Sequence, residues 1–342
     1  MHARTEQVIA LKAVDLKLFQ RTNVGTTDGS HTNSGPLQMK IISKSPRTGE
    51  IGVERAPVSK PRRKFRLIFI RLVQVLRAPL AGLGSQRFLE SRWIGRSLAL
   101  GPRAWRRGLA LRFLSWSPHY FYRTPLNNEL TNREFLISEF RRNAESRRRV
   151  LHNLLRKNLR SEQTVLDYGC GAGFLARAVS GQVRDVLACD ISTGVLECAR
   201  VLNGTPNITY IPIHRGGLIP IPDASVDLIY SFAVIQHVTD DVFRSVLGEW
   251  WRVLRPGAVV ICQVVLNADG WKSETQWRAD RSLRGRLRWR FGLHCFSRDR
   301  DGLYATVTAA GFGPPEIAAI GALCLPLNDD MDDQHLCTFT KK

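Results

Sequence analysis

Acidic residues are scarce in the first half of this chain. Residues 1–160 hold 10 Asp and Glu against 32 Lys and Arg, a balance of +22, whereas residues 161–342 hold 20 against 18, a balance of −2. Long apolar runs are missing as well: no stretch of about 18 or more uncharged apolar residues occurs, so no membrane-spanning helix is expected. There is no C-x-x-C pair, and the cysteine count of 7 is odd, which argues against a disulfide framework and against a zinc site. No metal is expected. Thiols in a reducing cytoplasm are the plain reading, and Cys170, Cys189 and Cys198, set in apolar runs, read as small core residues. The charged-then-apolar plan of a signal peptide is absent from the N-terminus, and no internal repeat is visible. The expected location is cytoplasmic, with a peripheral position on the inner face of the membrane left open by the basic half.

What is present divides the chain into three. Residues 1–60 are rich in Thr, Ser, Gly, Asn and Lys and read as a mobile tail, within which Met39 offers an alternative start. Residues 61–125 are a basic amphipathic helical extension or cap. At about 100° per residue, Arg63, Lys64, Arg66, Arg71 and Arg77 fall in one arc, with most of Phe65, Ile68, Phe69, Leu72, Val75 and Leu76 opposite. A second basic stretch carries Arg87, Arg92, Arg96, Arg103, Arg106, Arg107 and Arg112 among Trp93, Trp105, Trp116 and several leucines. Such segments cap a neighbouring domain, lie on anionic lipid, or, third in order, bind nucleic acid. Residues 126–342 form the third part. A helix over 131–160 leads into strands expected at 164–168, 185–189, 207–211, 226–231, 257–265, 315–323 and 334–340. Their alternation with helical segments predicts a parallel sheet with crossover helices, an α/β fold.

One run in that third part carries more chemistry than any other. Val165-Leu166-Asp167-Tyr168 reads as a buried strand that empties into Gly169-Cys170-Gly171-Ala172-Gly173 and then a helix starting at Phe174. Glycines at 169, 171 and 173 let the backbone take φ > 0 and approach a ligand, and free N–H groups beyond them can meet a carboxylate or phosphate. A dinucleotide fingerprint needs G-x-G-x-x-G. Its third glycine would fall at 174, where Phe174 stands, which disfavours a nicotinamide-dependent oxidoreductase. A second apolar run, Val186 to Cys189, ends in Asp190, 21 residues after Gly169, where an α/β nucleotide site places the carboxylate for ribose hydroxyls.

These features resemble motif I and the following acidic strand end of the class I S-adenosylmethionine (SAM) dependent methyltransferases. Four further segments extend the resemblance in the family's order. Pro222 to Ser231 resembles the turn into its fourth strand, and Ile235-Gln236-His237-Val238 resembles the segment just past that strand. Trp251 to Gly257 looks like a helix end with the turn before strand five, and Ala309-Ala310-Gly311-Phe312 like a late helix-to-strand join. The resemblance covers roughly residues 130–342 and is nearest to the methyltransferase type 11 group. It implies a Rossmann-like, seven-stranded, mostly parallel sheet with helices on both faces and an antiparallel last strand.

The resemblance also implies a SAM site. Gly169, Cys170, Gly171 and Gly173 would bring loop amides to the methionine end of SAM, and Asp167 would order that loop or reach the amine through water. Asp190 would accept from both ribose hydroxyls, and Ile191 would pack on the adenine. Ser231, Phe232 and Gln236 would line the cofactor and acceptor side. His237 is the candidate general base, a histidine there also being able simply to tie the strand-to-helix join. The segment His214-Arg215-Gly216-Gly217 departs from the family. Arg215 stands where an acid usually binds the adenine amino group, leaving adenine to backbone groups near Gly216 or Arg215 to stack or turn outward. The implied activity is methyl transfer to an oxygen or nitrogen of a small-molecule, lipid-linked or saccharide acceptor. The alternative is a catalytically idle SAM-binding module that docks on membrane or nucleic acid through its basic extension. His119, Tyr120, Phe121 and Tyr122, together with six arginines from Arg278 to Arg290, are the candidates for acceptor recognition. A solvated helix face accounts equally for the arginines.

Overall fold

The computed structural model describes residues 92–116, 120–121, 130–267, 271–290, 294–320 and 334–342. The expected tail, the helix expected from Phe65 to Leu76, and His119 and Tyr122 lie outside them. Seven strands form one sheet: β1 (Thr164–Tyr168), β2 (Asp185–Asp190), β3 (Ile208–Pro212), β4 (Val226–Ser231), β5 (Leu254–Val265), β6 (Glu316–Ala319) and β7 (Gln334–Thr340), in the order β3-β2-β1-β4-β5-β7-β6. Neighbours from β3 to β5 are parallel, and β7 runs antiparallel between β5 and β6. This is the expected Rossmann-like sheet. The strand order reverses between β1 and β4, and ligands of open α/β sheets bind outside the carboxyl ends of the strands at such a reversal.

The central strands are apolar on both faces because helices cover both. One layer sets α6 (Asp240–Val253) and α7 (Arg300–Ala309) over Leu166, Ile229, Val260 and Cys262, with Trp250 and Phe243 fully buried beneath α6. The opposite layer sets Leu151, Leu154 and Leu155, α4 (Phe174–Val179) and α5 (Thr193–Asn203) over Val165, Val186, Leu228 and Ile261. At the far end of the strands the carboxylate of Asp227 accepts from the Thr164 N–H at 2.8 Å and pairs with Arg255. That fixes β1, β4 and β5 in register, and so the height at which their carboxyl ends stop.

Three expectations need correction. The helix expected over 131–160 is α-helical only as α3 (Asn132–Val150), opened by a capping box of Thr131 and Glu134. It widens into a π-turn at Leu151–Leu155 and tightens at Arg156–Asn158, which turns its three leucines into the core. Second, Arg255-Pro256-Gly257 is no turn before strand five but part of it. β5 already pairs at Leu254 with Val226, and the register slips before Leu228. Pro256 has no N–H for the ladder and Gly257 takes φ +76°, so the residues form a bulge. Last, β6 is shorter than expected, spanning Glu316–Ala319.

Of the extension, α1 (Arg92–Leu100) and α2 (Arg103–Leu114) cap the domain. Ile94, Leu98, Phe113 and Leu114 share one buried cluster with Val195, Cys198 and Leu202 of α5 and with Ala172 and Phe174 at the glycine loop.

Candidate functional site

At the reversal point the chain leaves β1 through three left-handed glycines, with φ +76° at Gly169, +52° at Gly171 and +74° at Gly173. Space is as decisive as backbone angle. A β-carbon on Gly173 would stand 2.3 Å from the Tyr210 hydroxyl, and one on Gly169 would stand 2.3 Å from a methyl of Val234. The loop is stitched to the end of β2. Gly169 and Cys170 donate their N–H groups to the Cys189 carbonyl at 2.8 and 3.0 Å, and Gly171 donates to Asp190 Oδ2 at 2.9 Å. Asp190 Oδ1 accepts from the Ser192 N–H at 2.8 Å. An ionised carboxylate accepts up to about four hydrogen bonds, so these two N–H groups alone do not saturate Asp190. The glycine loop and the strand-end acid, 19 residues apart at this contact, therefore form one structure.

Beneath the loop lies a row of buried polar groups. Asp167 is in register with Ala188 of β2 on one side and Tyr230 of β4 on the other, and Ala188 is in register with Tyr210 of β3. Asp167 Oδ2 and the hydroxyls of Tyr210 and Tyr230 are buried with no hydrogen-bond partner among the described residues. The Ala176 backbone N–H and the Tyr230 hydroxyl lie near the Asp167 carboxyl and oppose the rise in its value. Burial pushes the Asp167 carboxyl up to about 8, with Arg147 opposing and Asp190 adding to the rise. Burial likewise raises the Cys170 thiol, which suits a packed side chain rather than a nucleophile.

Tyr120 covers the loop. Its ring comes within 3.1 Å of where a β-carbon on Gly171 would be, and its carbonyl accepts from Asn143 Nδ2 at 3.1 Å. Burial and the neighbouring Asp190 raise its hydroxyl well above the usual tyrosine range. Phe121 is buried in the cluster under α1 and α2. Ile191 packs half-buried against the layer that contains Leu166.

Past β4, Ser231 is fully buried and donates Oγ to the Tyr168 carbonyl at 2.9 Å, while Phe232 packs into the opposite core layer. Ala233 takes φ +61°, its N–H held by Gln263 Oε1 at 2.9 Å. A short turn, Ile235–His237, follows. Gln236 is completely buried there, and neither atom of its amide has a partner among the described residues. The segment after β5 folds back onto this turn: Phe296 donates its N–H to the Gln236 carbonyl at 2.7 Å, and His237 Nδ1 lies 3.1 Å from the His294 carbonyl. Cys295 Sγ lies 3.4 Å from the same Nδ1, so the carbonyl and the thiol together flank that side of the ring. Arg298, nearly buried, donates Nη1 to the Ile235 carbonyl at 2.9 Å and Nη2 to the Val238 carbonyl, and its Nε meets Asp240 at 2.9 Å. The sequence reading missed Arg298, Tyr210 and Tyr230, since only the chain's return past β5 and the strand register bring them here.

The remaining expected site residues have these surroundings. Arg215 is exposed, and Gly216, at φ +63°, turns toward Val242 and Ser245 of α6. Of the arginines after β5, Arg278 pairs with Glu274 and lies over the Trp289 ring at 5.0 Å, while Arg281 and Arg286 are exposed. Among the described residues, no His, Cys, Asp and Glu group is placed to hold a metal ion, and no helix is long and apolar enough to cross a membrane.

Comparison with known proteins fits this geometry. Residues 166–262, from β1 through the middle of β5, match the model of a family described as a methyltransferase domain. This stretch, under a third of the chain, is similar to a SAM-dependent methyltransferase domain. Its relatives include a malonyl-[acyl-carrier protein] O-methyltransferase of Serratia marcescens, 32% identical over 99 residues that cover 29% of this chain and 37% of that one. An N-demethylindolmycin N-methyltransferase of Streptomyces griseus is 33% identical over 98 residues, covering 28% and 41%. The chain thus spans well under half the length of these two relatives. Among solved structures, a SAM-dependent methyltransferase of Mesorhizobium loti aligns with 58% of this chain and 100% of its own, at 19% identity and a TM-score of 0.44. The matched stretch contains the loop, Asp190 and the Gln236 turn.

Proposed function

We propose that the protein transfers a methyl group from SAM to an oxygen or nitrogen of a small-molecule, lipid-linked or saccharide acceptor. The observation that carries this is the bond from the Gly171 N–H to Asp190, which joins a glycine loop open to a ligand's amino-acid end with a carboxylate suited to ribose hydroxyls. The residues fit the cofactor on a second count: the buried Asp167 Oδ2 beneath the loop, without a partner among the described residues, is an acceptor that an ammonium can satisfy. The relatives named above act, by their names, on oxygen and on nitrogen, which supports the breadth of the acceptor class.

SAM, when bound, supplies an electrophilic methyl on a sulfonium. The work left to the protein is alignment in a dry site, which can contribute much of the acceleration of an in-line displacement. Asp190 would orient the sugar, the loop amides the methionine end, and Ile191 the adenine. Tyr120 and the segment that returns from β5 would exclude water. Gln236, buried with an amide that has no partner among the described residues, would face the acceptor side. His237, flanked at Nδ1 by the His294 carbonyl and Cys295 Sγ, would be the general base that takes a proton from an acceptor hydroxyl or ammonium.

Calorimetry with SAM on the full chain, paired with mass-shift screening of a metabolite extract against labelled SAM, tests this reading. The expected result is binding that weakens at least about tenfold in Asp190→Ala, the loss of a charge-assisted pair, together with label transfer to an extract component. Binding without transfer would point to the idle SAM-binding module that Arg215 in place of an acid favours. An unchanged affinity in Asp190→Ala would overturn the site.

A further inference from the structure

We infer that the outward faces of α1 and α2 form a docking surface for an anionic lipid bilayer. The two helices spend their inner faces on the domain: Ile94 and Leu98 of α1, and Ala110, Phe113 and Leu114 of α2, are buried against α5 and the glycine loop. What points away is neither ordinary nor solely polar. Leu100 is 86% exposed and Trp105 72% exposed, on either side of the Gly101–Pro102 turn that joins the helices. At about 100° per residue, Arg96 and Leu100 share the outer side of α1, and Trp105 and Arg112 share the outer side of α2. Trp93 is also about half exposed, at 53%. Arg96, Arg103, Arg107 and Arg112 are exposed, and among the described residues none of them meets a carboxylate.

Charge selects the partner. No Asp or Glu occurs between Ser91 and Asn128, a stretch with 7 arginines, and none occurs from Arg55 to Leu89, which holds 9 Lys and Arg. A surface of arginines around protruding Trp and Leu matches a bilayer interface, where guanidinium groups meet headgroup phosphates and apolar side chains enter the acyl boundary. A nucleic acid would use the arginines but has no use for an apolar tip centred on Leu100. The inner faces of the same helices hold Ala172 and Phe174, so docking places the glycine loop one helix layer from the lipid. This last step rests on the methyltransferase reading and narrows its acceptor to one that is carried in, or partitions into, the membrane.

Flotation of the full chain with phosphatidylcholine vesicles, with and without equal phosphatidylglycerol, tests the surface. The full chain is expected to float with the anionic vesicles and not with the neutral ones. Two double variants, Leu100→Ala with Trp105→Ala and Arg96→Glu with Arg112→Glu, are each expected to lower partitioning at limiting lipid at least about tenfold. All four side chains are exposed, so melting curves should match the parent and exclude misfolding. The inference is overturned if the parent does not float, if it floats equally with neutral vesicles, or if both double variants bind like the parent, in which case the preceding basic segment acts alone. It is overturned too if the parent is a dimer that the Leu100 and Trp105 variant dissociates without lipid. Calorimetric SAM affinity of the same preparations separates this question from that of the cofactor site: loss of SAM binding with flotation intact would remove the methyltransferase reading and leave the surface standing.

Discussion

Asp167 holds a carboxyl whose folded value of about 8 lies far above the unfolded carboxylate range near 4. A raised value means that folding favours the neutral acid. The stability it contributes is complete below about pH 4 and is lost progressively as pH rises toward 8. Melting temperature should therefore fall by about 5 °C or more between pH 5 and 8 in the parent, and Asp167→Asn should flatten that fall. A parallel fall in both proteins would place the titration elsewhere. His237 invites a different measurement. If it is the base, His237→Ala lowers kcat about a hundredfold with SAM affinity unchanged; unchanged kcat with faster proteolysis after residue 266 would leave it only the tie to His294. Legibility differs sharply among these residues. The glycines and both acids could be read because a left-handed turn after an apolar run and an acid at the next strand end are local patterns. Tyr210 and Tyr230 could not, because their meeting with Asp167 depends on which strands neighbour β1 and in what register.

At the level of elements, one arginine fastens the returning segment to the turn after β4. Arg298 serves the carbonyls of Ile235 and Val238 and the carboxylate of Asp240 from an almost buried position. Replacing it with Met should cost about 3 kcal/mol or more, since it strands buried acceptors and breaks an ion pair. Limited proteolysis should show cleavage after β5 well before global unfolding. Gly173→Ala should cost about 1–3 kcal/mol from the left-handed backbone alone, plus displacement of Tyr210, and should weaken SAM binding through the distorted loop. Strand positions were largely legible from apolar runs between turn residues. The bulge at Pro256 and Gly257 was not, because a Pro-Gly pair signals a turn wherever it stands and only the pairing with β4 and the contact of the Gly257 N–H with the Lys341 carbonyl keep it in the sheet.

For the molecule as a whole, the basic extension and the catalytic half share a core. Leu114 is completely buried in the cluster that also holds Phe174, so Leu114→Ala should cost about 2–5 kcal/mol and lower SAM affinity, with both effects read from melting curves at rising SAM concentration. An extension that only tethered the domain would leave the affinity unmoved. Composition revealed the charge asymmetry, yet helical periodicity alone could not say which greasy face meets the domain and which looks outward; that needed α5 as the opposing surface. The sheet carries a further consequence for biosynthesis. Among the described residues β6 pairs only with β7, although it leaves the ribosome first. Until residue 334 has been made, a nascent chain holds β6 and the open flank of β5 without partners. Pausing or truncation in that interval should expose an edge prone to wrong pairing, and chaperone demand during synthesis should concentrate there.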